Sequence, residues 1–319
     1  MEQNIVEKLR EEAVISLFNA QGMQKVWPVW KNKIESLAPN KSASQIFDLG
    51  DSLKDIFYMT NESKVRTDGT RSQSEVSGGG ANWEALVCWY LNLCCIGRRT
   101  VVIKHNKKLL PEPISNAITV NYGTFVSNTE SDLIAITFPN KDEYSMNKDD
   151  IDILDENGKK VIIKHNGKMK YNLKEVMDAL VARDFSEIEI HIIQCKTNWN
   201  DNAQIPMLWD MIYSADKFKT NITVGREGYA MSNAHLFSYA FATVPTVKTN
   251  KFKRNSVAVL RVSNLSGGNY WGMPSISGIA SSIKEMLGRN LATGANGGHK
   301  ATLSAELPKL STTYEYFRL

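Results

Sequence analysis

The sequence predicts an α/β protein in which a mixed central β-sheet is flanked by helices, with helical additions at the N-terminal and C-terminal ends. Two patterns lead to this prediction. Apolar residues recur at helical spacing in several segments, and short β-branched runs that end in Pro, Asn or Gly stand between them. The 319 residues are 42% hydrophobic and 23% charged, which is typical of a folded soluble chain. This composition excludes disorder throughout, a collagen-like chain and a disulfide-stabilised scaffold.

The N-terminal region is predicted to be helical. The apolar residues that recur there at helical spacing are Ile5, Leu9, Ala13, Leu17, Trp27, Trp30, Ile34 and Leu37. Residues 64–80 lose all large apolar side chains except two valines and become rich in Ser, Gly, Arg and Thr, so we expect a mobile loop or hinge there. The chain is thus divided into a helical region, 1–63, and a core, 64–319, or alternatively forms one continuous domain, 1–319.

A helix that is buried on nearly all sides is predicted to follow this loop. The large side chains that cover most of its surface are Trp83, Leu86, Val87, Tyr90 and Leu91. Gly97 is expected to end the helix.

Strands are predicted after this helix, because the residues become β-branched and the apolar runs become short. The expected strands are 99–105, 116–126, 131–139 and 187–197. The last of them alternates at first and then runs apolar through Ile192 and Ile193, which predicts a central place in the sheet. A hairpin with Asn166 and Gly167 at its turn and a helix over 172–183 are expected between the last two strands.

The C-terminal third is predicted less sharply. We expect a helix over 204–217, a Gly-rich loop over 264–278 and a last helix over 279–287. Residues 233–243 mix apolar and aromatic residues in a pattern that fits neither a helix nor a strand clearly.

The cysteines and the N-terminus predict a cytoplasmic protein. Four cysteines, at 88, 94, 95 and 195, are too few for a secreted disulfide framework in a chain of this length. The N-terminus is charged and has no uninterrupted apolar segment of the kind that signal peptides carry. The longest apolar run, 85–96, is interrupted by Asn92 and is too short to span a bilayer. We therefore expect neither export nor membrane insertion.

Charge is unevenly distributed although the net charge is only +4. Residues 130–160 contain nine acidic and four basic residues, a net charge of −5, whereas residues 245–290 contain seven basic residues and one acidic residue, a net charge of +6. An enzyme that uses a metal ion on a phosphate backbone needs such a pair of blocks, because carboxylates hold the cation and Lys or Arg neutralises phosphates. Two ordinary solvated surfaces account for the charges equally well.

Two strand segments place polar groups where an apolar core is expected. Asp132 stands at the start of the apolar strand 133–136, and Gln194 and Lys196 project to one face of a later strand while Cys195 points to the opposite face. A buried lysine is costly without a partner. If the two strands are neighbours, Asp132 is that partner, and the three side chains are able to hold a divalent cation and a water.

In these residues the chain resembles the PD-(D/E)XK nucleases, and within them the type II restriction endonucleases. The signature of that family is an Asp that opens one strand and an acid-x-Lys tripeptide on the next, with a helix glutamate upstream. The positions that match are Asp132, Gln194-Cys195-Lys196 and Glu84. The resemblance implies a restriction-endonuclease-like core in which Asp132 and Gln194 bind the metal, Cys195 contributes its backbone carbonyl and Lys196 positions or activates the attacking water. Glu84 is implied as an outer or second-metal ligand.

The sequence departs from the family pattern in two respects. Gln194 replaces the usual second acid and removes one negative charge, so we expect Glu84 or Glu130 to restore metal affinity. Gln194 also lies 62 positions after Asp132, which requires the hairpin and helix of residues 147–183 to be an insertion between adjacent core strands.

The predicted function is Mg²⁺-dependent, site-specific cleavage of double-stranded DNA. Oxygen ligands without His or Cys side chains favour Mg²⁺ over zinc, and no organic cofactor or membrane is expected. A homodimer is expected because palindromic duplex sites are matched by two-fold symmetry. Two alternatives remain open: a DNA repair or junction-processing nuclease with the same core, and a non-catalytic DNA-binding protein whose nuclease motif has decayed.

The DNA contacts are expected mainly in the basic segment of the C-terminal third, where Lys and Arg bind phosphate and Asn reaches base edges. The residues expected to contact DNA are Arg226, Lys248, Lys251, Lys253, Arg254, Arg261 and Asn264. His191 is expected to pack in the layer opposite Gln194, and the other histidines have no ligand spacing.

Overall fold

The computed structural model describes residues 3–60, 73–127, 131–161, 163–165, 168–170, 172–197, 222–244, 255, 259–260, 263, 269–271, 282–294 and 298–319. Its helices are α1 Ile5–Phe18, α2 Gln21–Leu37, α3 Ala43–Tyr58, α4 Gln73–Cys94, α5 Glu112–Ala117, α6 Leu173–Asp184, α7 Lys284–Arg289 and α8 His299–Glu306. Its strands are β1 Thr100–Lys104, β2 Val120–Tyr122, β3 Phe125–Ser127, β4 Leu133–Thr137, β5 Ile163–His165, β6 Lys168–Lys170, β7 Glu189–Lys196, β8 Ile222–Val224, β9 Leu236–Thr243 and β10 Asn269–Trp271. The mixed α/β class is confirmed.

The central sheet has five described strands in the order β1-β4-β7-β9-β10. β7 lies in the middle as predicted, antiparallel to β4 on one side and parallel to β9 on the other. The segment between β4 and β7 contains the hairpin β5-β6 and the helix α6, so it is an insertion between two adjacent strands. Strands β2, β3 and β8 form a smaller antiparallel sheet.

The two faces of the central sheet bury two different apolar cores. Odd-numbered residues of β4 and β7, such as Leu133 and Ile193, pack with α2, α3, α4 and the C-terminal residues. Even-numbered residues of the same strands, such as Ile134 and Ile192, pack with α5, α6 and the first half of α1. This alternation follows from the two-residue period of a strand.

Helix α1 packs against β1, the strand at one end of the central sheet. Asn4 caps this helix by accepting the backbone N–H of Glu7. Its fully buried Arg10 donates to the carbonyls of Arg98 and Thr100, at 2.6 and 2.7 Å, and pairs with Glu7 at 2.9 Å. These bonds fix α1 to the segment that leads into β1.

Three predictions about local structure were wrong. Gly78 to Gly80 lie inside α4 and not in a loop, because the helix continues N-terminally from a segment that is almost wholly buried. The single strand expected over 116–126 begins in α5 and is then a hairpin, β2-β3, whose turn contains Gly123 at a φ of +59°. Asn269–Trp271 form β10 within the segment predicted to be a loop.

Other predictions about local structure are confirmed or lie outside the described residues. Gly97, at a φ of +73°, stands just beyond the C-terminal end of α4, as predicted. Residues 233–243, for which the sequence favoured neither a helix nor a strand, contain β9. The helix expected over 204–217, the rest of the Gly-rich segment and the Asn166-Gly167 turn lie outside the described residues. Among the described helices, none combines the length and the apolar character that a membrane span requires.

Candidate functional site

The predicted strand ends meet at one edge of the central sheet. β4 and β7 pair antiparallel with Leu133 opposite Ile193, which places Asp132 next to the end of β7. Asp132 Oδ2 accepts the backbone N–H of Cys195 at 2.8 Å and lies 3.5 Å from Lys196 Nζ. Two segments that are more than sixty positions apart in the chain therefore share one carboxylate.

Strand alternation places two of the predicted site residues on the face of the sheet that packs against α5 and α6. Gln194 and Lys196 share their face with Ile192, whereas the Cys195 side chain is buried in the opposite core. Burial raises the pKa of the Cys195 thiol well above its ordinary value. The Cys195 side chain thus points away from Gln194 and Lys196, as strand alternation predicted.

The Cys195 backbone faces Asp132. In a strand, the N–H and C=O of one residue point toward the same neighbouring strand. The Cys195 N–H points toward Asp132, whereas the Lys196 carbonyl accepts Val244 N–H at 3.1 Å on the β9 side. The Cys195 carbonyl therefore also points to the edge where Asp132 lies.

Gln194 is almost fully buried, at 1% exposure. Its Oε1 accepts a hydrogen bond from the Tyr239 hydroxyl at 3.3 Å. An amide oxygen has two lone pairs, so this bond leaves one of them for a second contact. Gln194 is the least accessible of the predicted ligands.

Glu84 approaches the same edge from the opposite face, on α4. Its carboxylate pairs with Lys104 at 3.1 Å, and Lys104 also donates to the Ala81 carbonyl at 2.9 Å. Burial raises the pKa of the Glu84 carboxyl, the Lys104 ammonium opposes that rise, and the Asp132 carboxylate adds to it. Glu84 and Asp132 are therefore close enough for their charges to repel.

The site is accessible to a ligand. The exposed fractions of the side chains are 15% for Asp132, 21% for Glu84 and 28% for both Lys104 and Lys196. These values describe partly buried charges at a surface rather than a sealed core. A ligand that enters between them would strengthen its electrostatic contacts by displacing water.

Comparisons with protein-family models, curated proteins and solved structures found no match.

The donor set fits Mg²⁺ better than it fits zinc. Within the described residues, no group of three or more His, Cys, Asp and Glu side chains is arranged to hold a metal ion. Mg²⁺ does not require such a group, because it is held by one or two carboxylates and keeps several waters. The carboxylates of Asp132 and Glu84 and the Cys195 carbonyl are hard oxygen donors of this kind.

Most residues predicted to contact DNA, and Glu130, lie outside the described residues. The predicted DNA contacts that lie there are Lys248, Lys251, Lys253, Arg254, Arg261 and Asn264. Arg226 is described and donates through Nε to Asn116 Oδ1 at 2.6 Å. Asn116 in turn donates to Glu227 at 3.0 Å, so Arg226 belongs to a local polar network.

Two residues of this edge were missed by the sequence analysis. Lys104 ends an apolar strand just as Lys196 does, and this shared pattern was the available signal. The backbone N–H of His105 donates to the Asp132 carbonyl at 3.1 Å, which places His105 beside the site. Burial lowers the pKa of His105, and the Lys107 charge lowers it further. His191, by contrast, is fully buried in the opposite layer, as predicted.

Proposed function

We propose that this chain is a type II restriction endonuclease that hydrolyses phosphodiester bonds of double-stranded DNA at a specific short sequence, with Mg²⁺ as its cofactor and as a homodimer. One observation carries the proposal. At one edge of the sheet, the Asp132 carboxylate accepts the backbone N–H of Cys195 and lies 3.5 Å from the Lys196 ammonium. The family resemblance requires this meeting, and the residues that meet are more than sixty positions apart in the chain.

The arrangement around the site supports the same proposal. The buried helix α4 carries an acid, Glu84, and comes before the antiparallel strands β1 and β4 of the central sheet. The next strand of this sheet, β7, is antiparallel to β4 and parallel to β9. The mixed sheet with helical cores on both faces is compatible with a restriction-endonuclease-like core. Two-fold symmetry would place two such edges on the two strands of a palindromic site.

The proposed reaction is the attack of water on the phosphorus atom of the scissile phosphodiester. The bond to one ester oxygen breaks, and the departing oxygen takes up a proton while the attacking water loses one. Lys196 donates a hydrogen bond to the water or to a phosphate oxygen, and Asp132 holds Lys196 in place at 3.5 Å. Asp132, Glu84 and the Cys195 carbonyl would hold Mg²⁺, with Gln194 at the buried end of the site. The ion would neutralise phosphate charge and increase the acidity of water when bound.

The proposal is tested by incubating plasmid DNA with the protein in Mg²⁺ and separating the products. We expect discrete fragments with defined ends from the wild type. Asp132→Asn retains an acceptor for the Cys195 N–H but removes the charge, and Lys196→Ala removes the ammonium. Each variant should lower the cleavage rate at least ~100-fold while binding DNA in Ca²⁺ as the wild type does.

Matched control variants are available in an exposed ion pair away from the site. Asp152 and Lys160 pair at 2.8 Å with side-chain exposures of 71% and 62%. Asp152→Asn and Lys160→Ala make the same chemical changes and should leave cleavage unchanged. Cleavage by Asp132→Asn or Lys196→Ala at the wild-type rate would reject the assigned site.

A second candidate function follows from Gln194. Its amide oxygen is buried and already accepts the Tyr239 hydroxyl, which favours a weak metal site. A non-catalytic DNA-binding protein with a decayed motif would bind duplex DNA in Mg²⁺ without cutting it. Cuts at DNA junctions in place of a fixed sequence would instead indicate the repair nuclease and would reject sequence-specific restriction.

A further inference from the structure

A basic loop leaves the central sheet at the edge that holds Asp132. We use the name loop 104–108 for the last residue of β1 and the first four residues of the connection to α5, which have the sequence Lys-His-Asn-Lys-Lys. The bond from His105 N–H to the Asp132 carbonyl continues the β1–β4 ladder by one residue. The loop is therefore positioned by the same strands that position the proposed catalytic groups.

Asn106 gives this loop a fixed shape. Its side-chain Oδ1 accepts the backbone N–H of Lys108 at 3.0 Å. Its carbonyl accepts the N–H groups of Leu109 and Leu110 at 3.0 and 2.9 Å. A loop fixed in this way loses little conformational freedom when it binds a ligand.

The charges of the loop are only partly balanced. Lys104 pairs with Glu84, and Lys196 pairs with Asp132, so the charge of each of these lysines is balanced by its own carboxylate. Lys107 and Lys108 are exposed, and neither forms an ion pair with any residue in the described part of the chain. Within the described residues, the rim next to the site therefore carries two positive charges that no ion pair balances.

A cleft of about 570 Å³ lies between this loop, the α1–α2 turn and α4. One wall is formed by Lys104, His105, Asn106 and Lys107, and the described residues that line the cleft include no Asp or Glu. His105 Nδ1 is buried and has no hydrogen-bond partner within the described residues. A buried nitrogen without a partner costs free energy that a ligand able to hydrogen-bond would recover.

These features match a polyanion. Lys104 both lines the cleft and pairs with Glu84, so the cleft opens beside the proposed catalytic acids. Resting on the function proposed above, we propose that the loop 104–108 and this cleft bind the phosphate backbone of duplex DNA beside the scissile bond. Lys107 and Lys108 contact the phosphates, and the exposed lysines act independently of the metal.

The test measures the salt dependence of duplex binding in Ca²⁺, by fluorescence anisotropy with a labelled DNA duplex. Each phosphate contact contributes about 0.9 to the slope of log affinity against log salt. The double variant Lys107→Ala/Lys108→Ala should therefore lower the slope by about 1.8. Its loss of affinity between about 50 and 200 mM salt should be about 12-fold smaller than that of the wild type.

The matched control is the double variant Lys159→Ala/Lys160→Ala, which removes the same charge from another exposed pair of adjacent lysines. It should leave the slope unchanged. Equal slopes for the wild type and the loop variant, or an equal fall in the control, would overturn the proposal. Displacement of the duplex by micromolar inorganic phosphate at constant ionic strength would also overturn it, since the site would then bind a free phosphate.

Cleavage in Mg²⁺ separates this inference from the proposed function. If the loop variant lowers the slope but the wild type never cuts DNA, the binding surface is supported and the nuclease function is rejected. If the wild type cuts DNA and the loop variant has the wild-type slope, the inference alone is rejected. A wild type that neither binds nor cuts duplex DNA would overturn both.

Discussion

Replacing Arg10 by Met should destabilise the fold strongly. Arg10 is fully buried and donates to Glu7 and to the carbonyls of Arg98 and Thr100. Met fills a similar volume and forms helices well, but it donates no hydrogen bond. The variant therefore removes the Arg10 donor from two carbonyls and the counter-charge from the nearly buried Glu7 carboxylate, which keeps the Gly97 N–H at 2.9 Å. Removing one member of a buried ion pair costs about 3–5 kcal/mol. Urea unfolding followed by circular dichroism measures this change.

The same helix supplies the control. Lys8 also pairs with glutamates, Glu11 and Glu12, at 3.1 and 2.9 Å, but its side chain is 26% exposed. Lys8→Met should cost less than about 1 kcal/mol, because ion pairs near the surface contribute little. In the Arg10→Met background, Glu7→Gln should restore part of the stability by removing the unpaired charge. Equal costs for Arg10→Met and Lys8→Met, or no recovery with Glu7→Gln, would refute the reasoning.

Two further predictions concern pH. Because burial raises the pKa of Glu84 in the folded state, its charge costs stability as the pH rises from the ordinary carboxyl pKa through the raised one, so Glu84→Gln should raise the free energy of unfolding at pH 7. Urea unfolding should show that this gain shrinks toward pH 4, and a loss at pH 7 would contradict it. His299 Nδ1 lies 2.6 Å from Arg98 Nη1 and accepts a hydrogen bond from it, because a guanidinium only donates. Burial and this cation lower the pKa of His299 to about 4. Its contribution to stability is present above pH 6.5 and is lost as the pH falls toward 4, so calorimetry should find a smaller loss of Tm over this window in His299→Asn.

The sequence predicted the meeting of Asp132 and Lys196 on the condition that their strands are neighbours, and β4 and β7 do pair. Each is the polar end of a β-branched apolar run, and such runs form buried strands wherever a core is available. Strand alternation then placed Gln194 and Lys196 on one face and Cys195 on the other, and the structure agrees. These predictions depended on local periodicity, which single sequences record well.

The errors arose where tertiary packing overrides local preference. Three consecutive glycines disfavour a helix, yet the buried surface of α4 C-terminal to them stabilises its continuation through Gly80. The importance of Lys104 could not be judged alone, because its partner, Glu84, lies on a different element. Residues of β9 do not alternate between apolar and polar, because both faces of this strand are buried, one in each core.

The bond between the Asp132 carboxylate and the Cys195 amide has a consequence for the shape of the sheet. β4 begins at Leu133, and the Cys195 N–H, the last amide of β7 that points toward β4, bonds to the Asp132 side chain and not to a backbone carbonyl. The side chain substitutes for it, and the two strands diverge beyond this point without leaving an amide unsatisfied. An acid at this position thus lets the backbone ladder between the two strands end while every inward-facing amide of β7 up to its last residue keeps an acceptor.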